Sequence, residues 1–116
     1  MHELQITESI LGVVLRHAGQ HDVRKVVRIH LRVGELSDLV DEWIQHYFNY
    51  LSRGTLAEDA ELAIVRASIV LRCPACDSSF PVEKEQLGAA ACPACAGSKL
   101  ELVSGRGYFI ENMEVL

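Results

Sequence analysis

The chain has 116 residues, of which 49% are hydrophobic and 23% charged, with only three prolines. That composition supports one buried core and excludes disorder along the whole length. Net charge is −5 and no stretch is basic, which argues against a nucleic-acid partner, because phosphate binding needs cationic charge to displace counterions.

Residues 4–18 read as a helix, with Leu4, Leu11, Val14, Leu15 and Ala18 on one face, Ile10 at its flank and Gly19 as the stop. Residues 24–34 alternate as a strand, with Val27, Ile29, Leu31 and Val33 inward and Arg28, His30 and Arg32 outward. Residues 34–38 form a turn in which Ser37 or Asp38 can cap the next helix. That helix spans 39–53, with an apolar stripe of Val40, Trp43, Ile44, Tyr47, Phe48 and Leu51 that reads as core. Residues 61–72 read as a second strand whose phase slips near Ala67-Ser68, so a bulge or bend is expected there. The cysteines follow, and residues 106–115 read as a terminal strand rich in aromatic and β-branched side chains.

The predicted fold is α+β: two helices on a small three-stranded sheet, with a four-cysteine module inserted between the second and third strands. Two domains are expected, one from 1–70 with 104–116, the other from 71–103. No apolar run approaches the roughly 20 residues of a membrane span. Glu3 and Glu8 interrupt any leader-like pattern, so a cytoplasmic protein is expected.

The cysteine pattern is Cys73-Pro74-Ala75-Cys76, fifteen residues, then Cys92-Pro93-Ala94-Cys95. Each Cys-x-x-Cys turn aims two thiolates at one point, and two such turns complete a tetrahedral sulfur site at zinc-ribbon spacing. Disulfides do not suit a cytoplasmic chain, and a redox pair would occur once rather than twice. Iron in the same cage fits the spacing equally. Four thiolates leave no open coordination position, so the site reads as structural rather than hydrolytic.

The chain opens Met1-His2-Glu3. An α-amine, an ionisable amide and an imidazole within two residues can form fused chelate rings around Ni(II) or Cu(II), with Glu3 adding an oxygen; a merely solvated histidine is the plainer alternative. His17, His21, His30 and His46 receive no role. Asp38, Asp41 and Glu42 read as helix N-terminal charges.

Together these features resemble the HypA/HybF family of nickel metallochaperones that mature [NiFe]-hydrogenase. The resemblance rests on Met1-His2-Glu3, the amphipathic first helix, the Val33-Gly34-Glu35-Leu36-Ser37 turn, the two Cys-Pro-Ala-Cys knuckles and the terminal strand. It implies a Ni(II) cargo at Met1, His2 and Glu3, joined by a carboxylate just beyond the turn. Asp38 and Asp41 both lie there, and Asp41 is the candidate. It implies structural Zn(II) on Cys73, Cys76, Cys92 and Cys95, and partnership with a HypB-type GTPase and the hydrogenase large subunit, in some members also urease. Asp77 and Ala96 depart from the glycine that often follows such knuckles, which puts the turn geometry in question. No histidine flanks the knuckles, so pH sensing at zinc is not implied.

The alternative is a zinc-ribbon adaptor that binds no nickel. No catalytic triad, phosphate loop or carboxylate pair stands out, so the chain is not expected to be an enzyme. A monomer and a homodimer are both compatible with the sequence.

Overall fold

The computed structural model describes residues 3–116. Helix α1 (Glu3–Gln20) leads to strand β1 (Val26–Gly34), helix α2 (Asp41–Leu51) and strands β2 (Glu61–Ala67) and β3 (Ile69–Arg72). Strand β4 (Ser79–Val82), a 3-10 helix (Lys84–Ala89) and strands β5 (Glu101–Ser104) and β6 (Tyr108–Val115) complete the chain. There are two three-stranded sheets, of order β2-β1-β6 and β4-β3-β5. The expected order of helices and strands is present, and the architecture is α+β. The single strand expected over 61–72 is instead two. The slip near Ser68 is a full break, after which β3 pairs antiparallel with β4 and β5 rather than continuing in the first sheet.

The chain forms two compact units. One holds residues up to Arg32, Leu39–Val65 and Phe109–Leu116; the other holds Val33–Asp38 and Arg66–Tyr108. The cysteine-bearing unit is therefore wider than the 71–103 span marked out by the cysteines. It includes β3, and it takes in the turn after β1 through backbone bonds from Glu35 N–H to Ala67 O at 2.9 Å and from Leu36 N–H to Gly105 O at 2.8 Å.

In the first unit, Ile10, Leu11, Val14 and Ala18 of α1 are buried, as are Ile44 and Phe48 of α2 and Val26, Ile29 and Leu31 of β1. Each large side chain so buried contributes about 1.5–3 kcal/mol. The rotation of α1 differs from expectation. Its buried row runs Glu3, Thr7, Ile10, Val14, Ala18, so Ile10 is central rather than flanking and Leu4 is 43% exposed. The Leu4-Leu11-Leu15 row lies at the edge of that stripe, which covers Leu11 and leaves Leu15 half-buried. Thr7 satisfies its hydroxyl on the Glu3 carbonyl. In β1, Val26 is buried and Val27 exposed, so alternation begins only at Ile29. Val40, at the N-cap of α2, and Trp43 within it are exposed, against the expectation that the whole stripe is core.

The outer face of β1 is a charge ladder. Arg28 bridges Glu61 at 3.2 Å and Glu114 at 3.1 Å, His30 Nε2 lies 2.8 Å from Glu114, and Arg32 pairs with Glu111. The His30 hydrogen bond, then that of Arg28, holds the Glu114 carboxyl below its ordinary value. A carboxylate depressed in the folded state stabilises above its unfolded pKa of ~4.3, and that contribution disappears as pH falls through the depressed value. Both partners are solvent-accessible, so the effect is small. In urea melts, Glu114→Gln is expected to lower the midpoint at neutral pH and to flatten the decline below the carboxylate range. An identical midpoint–pH curve for parent and variant would refute this.

Candidate metal centre

Strand β3 delivers Cys73 directly after Arg72, and the chain then turns back on itself. Cys73 N–H donates to Ser78 O at 2.8 Å and Asp77 N–H donates to Cys73 O at 2.7 Å. The second knuckle repeats this construction. Cys92 N–H donates to Gly97 O at 2.9 Å and Ala96 N–H donates to Cys92 O at 2.7 Å. The two turns share a backbone conformation that favours glycine: φ is 61° at both Asp77 and Ala96. The departures at these positions leave the turn intact and carry its strain instead. Ala96→Gly is therefore expected to raise the stability of the cysteine-bearing unit by about 0.5–1 kcal/mol. Thermal melts in metal-saturating buffer check this, and an unchanged or lower Tm would contradict it.

The first knuckle is tied to both neighbouring strands. Arg72 pairs with Ser79 of β4 and Glu101 of β5 in register. Its guanidinium holds Asp77 at 2.6 Å and Glu101 at 2.9 Å. Cys73 and Cys92 are buried, while Cys76 and Cys95 face solvent.

The four Sγ atoms all lie within 4.8 Å of one another. Cys73 and Cys95 are 3.5 Å apart, Cys76 and Cys92 3.4 Å. A tetrahedral metal with bonds of about 2.3 Å to sulfur requires S–S edges of roughly 3.8 Å, so the donor set fits such an ion. The thiols make the same point electrostatically. Cys76 is pushed down to about 6, first by the Ser78 hydroxyl, then by the Ser78 backbone N–H and Cys92. The Gly97 N–H favours the Cys95 thiolate, but Cys73, Cys76 and Cys92 outweigh it and push Cys95 up to about 12. Without a cation, one sulfur ionises readily and a neighbour resists. A cation among the sulfurs would offset the hold that the neighbouring cysteines keep on the Cys95 proton.

Ser78 and Gly97 support the sulfurs and were not singled out in the sequence. Each lies two residues beyond the second cysteine of its knuckle, and that shared offset is the signal. Gly97 packs against the sulfurs: a Cβ there would sit 3.3 Å from Cys95 Sγ, a tight contact, and 3.5 Å from Cys73 Sγ. Among the described residues, no other set of three or more His, Cys, Asp or Glu side chains is placed to hold an ion.

Of the nickel candidates, Met1 and His2 lie outside the described residues. Glu3 opens α1 and is only 7% exposed, its negative charge at the helix N-terminus where the dipole favours it. Asp41 is the first residue of α2 and half-buried; Asp38 is exposed. His30 is engaged by Glu114. No helix is long and apolar enough to cross a membrane among the described residues.

A family model described as hydrogenase/urease nickel incorporation, metallochaperone, hypA matches residues 1–115. The hydrogenase maturation factor HypA of Dehalococcoides mccartyi is 36% identical over 115 residues, covering 99% of this chain and 94% of its own. Hydrogenase maturation factor HybF of Escherichia coli O157:H7 is 30% identical over 115 residues, covering 99% of each. The fold is similar to the solution structure of the Ni metallochaperone HypA from Helicobacter pylori, with a TM-score of 0.73 at 24% identity over 100% of this chain and 98% of that one.

Proposed function

The chain belongs to the HypA family of hydrogenase-maturation nickel metallochaperones, carriers rather than enzymes, and from that premise we propose where its cargo and its resident metal bind. Ni(II) is taken up at the N-terminus by the Met1 amine, the adjacent backbone nitrogens and the His2 imidazole, with Glu3 and Asp41 as oxygen donors. Zn(II) is held structurally by Cys73, Cys76, Cys92 and Cys95. The nickel site thus belongs to the unit containing α1 and α2, and the zinc site to the other. The recipient is the large subunit of a [NiFe]-hydrogenase, by way of a HypB-type GTPase in the cytoplasm; urease is a second client.

The observation that carries this reading is the family match over residues 1–115. The chemistry of the two donor sets agrees with it. A closed four-thiolate cage offers no open position and gives up its ion only by local unfolding. A chelate on a chain terminus can be dismantled by a partner while the domain stays folded, which a delivery protein requires. Nitrogen-rich planar chelation also selects Ni(II) over Zn(II), which drives amide deprotonation less readily.

The test is a nickel titration of zinc-loaded protein with an untagged, native N-terminus, beside His2→Ala. The parent is expected to bind one nickel and the variant none, with zinc retained in both. Unchanged nickel binding in His2→Ala removes the terminal site. Loss of zinc along with nickel would mean that the two sites are not separate.

A further inference from the structure

The histidines among the described residues are placed unequally. His30 is engaged by Glu114, and His46 packs against the rings of Trp43 and Tyr47. His17 and His21 are exposed, and neither has a hydrogen bond, ion pair or ring contact among the described residues. These two stand one helical turn apart at the end of α1. His21 is the first residue beyond the helix, yet its N–H still donates to Ala18 O at 3.3 Å, so the winding carries through it. Val23 N–H closes the turn on Ala18 O at 3.4 Å, across Asp22 with its φ of 54°. Such a left-handed closure ends many helices, and here it fixes the last turn. Side chains at this spacing stack on one helix face, with Cβ atoms roughly 5–6 Å apart. Both imidazoles border the same space, a cleft of about 330 Å³ between α1 and β6 with Val13, Ile110 and Met113 on its walls.

Two imidazoles one helical turn apart make a clamp, because each offers a neutral ring nitrogen to the same ion at about 2.0–2.1 Å. Imidazole suits Zn(II), Ni(II) and Cu(II), whereas Mg(II) and Ca(II) prefer oxygen. The helix end gives a second reason. The last carbonyls of α1 form the negative pole of its dipole, where a cation is stabilised. Glu111 also lines the cleft but is committed to Arg32, so it adds no third donor. We propose that His17 and His21 form a second, labile site for a divalent transition-metal ion, with water in the remaining coordination positions. Two protein donors hold this ion, against four in the cysteine cage, so it exchanges readily. The site is separate from the terminal chelate, and it fills only when metal exceeds what the stronger sites take.

Zn(II) is the probe, because planar nitrogen chelation at the terminus disfavours it. The full chain, already carrying zinc in the cage and kept reduced with a phosphine, is titrated with further Zn(II). The pH is held about one unit above the ordinary histidine value of ~6.5, so that the rings are neutral. Ring resonances of each histidine are followed by NMR, and circular dichroism confirms that each variant is folded. In the parent, the His17 and His21 signals are expected to shift together along one saturation curve while His30 and His46 hold still. His17→Gln and His21→Gln should each weaken this binding by about tenfold or more, and the double variant little further, because one imidazole alone clamps nothing. His2→Ala should leave both shifts in place, so loss of the terminal nickel site would not touch this one. Rings that stay still in near-millimolar zinc overturn the proposal. Separate curves for the two rings, or losses that simply add, overturn it equally, because no ion is then shared. Disappearance of the shifts in His2→Ala would assign the second zinc to the terminus and also overturn it.

Discussion

Chelation of the zinc proposed for the four cysteines is expected to unfold the unit of Val33–Asp38 and Arg66–Tyr108 and to leave the helical unit folded. The first unit buries side chains from two helices and two strands. The second buries only Val33, Ile69 and Leu71 as large apolar side chains, together with Cys73 and Cys92. Its strands β3, β4 and β5 are four residues each. Segments of this size seldom fold on apolar burial alone, and a structural zinc can supply an apparent 10–16 kcal/mol, on the order measured for zinc-finger peptides. Amide exchange read residue by residue provides the check. After chelation, protection should collapse at Cys73, Asp77, Cys92 and Ala96, whose N–H groups build the knuckles, and persist through α1 and α2. Cys92→Ala should do the same without chelator. Knuckle amides that stay protected in metal-free protein would show that packing, not the ion, holds the unit together.

Gly34→Ala is expected to cost about 4 kcal/mol or more, enough to remove most of the folded protein. A Cβ built on Gly34 lies 2.2 Å from both the carbonyl carbon and oxygen of Gly105 and 2.6 Å from Arg106 N. All three are backbone atoms, so no rotamer change relieves the clash. The strands cannot move apart cheaply, because Gly34 N–H donates to Gly107 O at 2.8 Å and Leu36 N–H donates to Gly105 O at 2.8 Å. Gly105 is pinned in turn by its φ of 111° and by Ile69, whose Cα would lie 2.9 Å from an added Cβ. Gly12→Ala is the control. Its site in α1 has open space, and alanine there should add about 1 kcal/mol. Soluble yield and urea midpoints separate the two substitutions, and a Gly34→Ala protein as stable as its parent would refute the steric account.

What the amino-acid order made legible depended on whether the information was local. The order of helices and strands followed from periodicity, and the sulfur cage from the spacing of Cys73, Cys76, Cys92 and Cys95. The depth of burial along each element was less legible. Leu4 and Trp43 belong to apolar stripes broader than the surfaces that receive them, so a pattern of periodicity alone marks them as core. Glu3 and Thr7 are buried because Ile10 and Val14 set the rotation of α1, and the short, polar first turn follows. The close approach of Gly34 to Gly105 joins residues far apart in the chain, and its only mark was a glycine at each end. Ser68 carried a weak signal for a bend, and the separation of β2 from β3 into different sheets is decided by the partners that β3 finds in β4 and β5. Met1 and His2, on which the nickel reading depends, lie outside the described residues, so that reading rests on chemistry and family.

The turn at Val33–Asp38 folds with residues that follow it by some thirty positions or more, while the chain on either side of it belongs to the other unit. The sulfur-bearing unit is therefore not a cassette that recombination could lift from one gene and drop into another. A transplanted stretch covering only 66–108 would leave the carbonyls of Ala67, Gly105 and Gly107 without the N–H groups of Glu35, Leu36 and Gly34 that they bind. The two units are bound to be inherited together, and a lineage can vary the metal carried by one only within a backbone shared with the other.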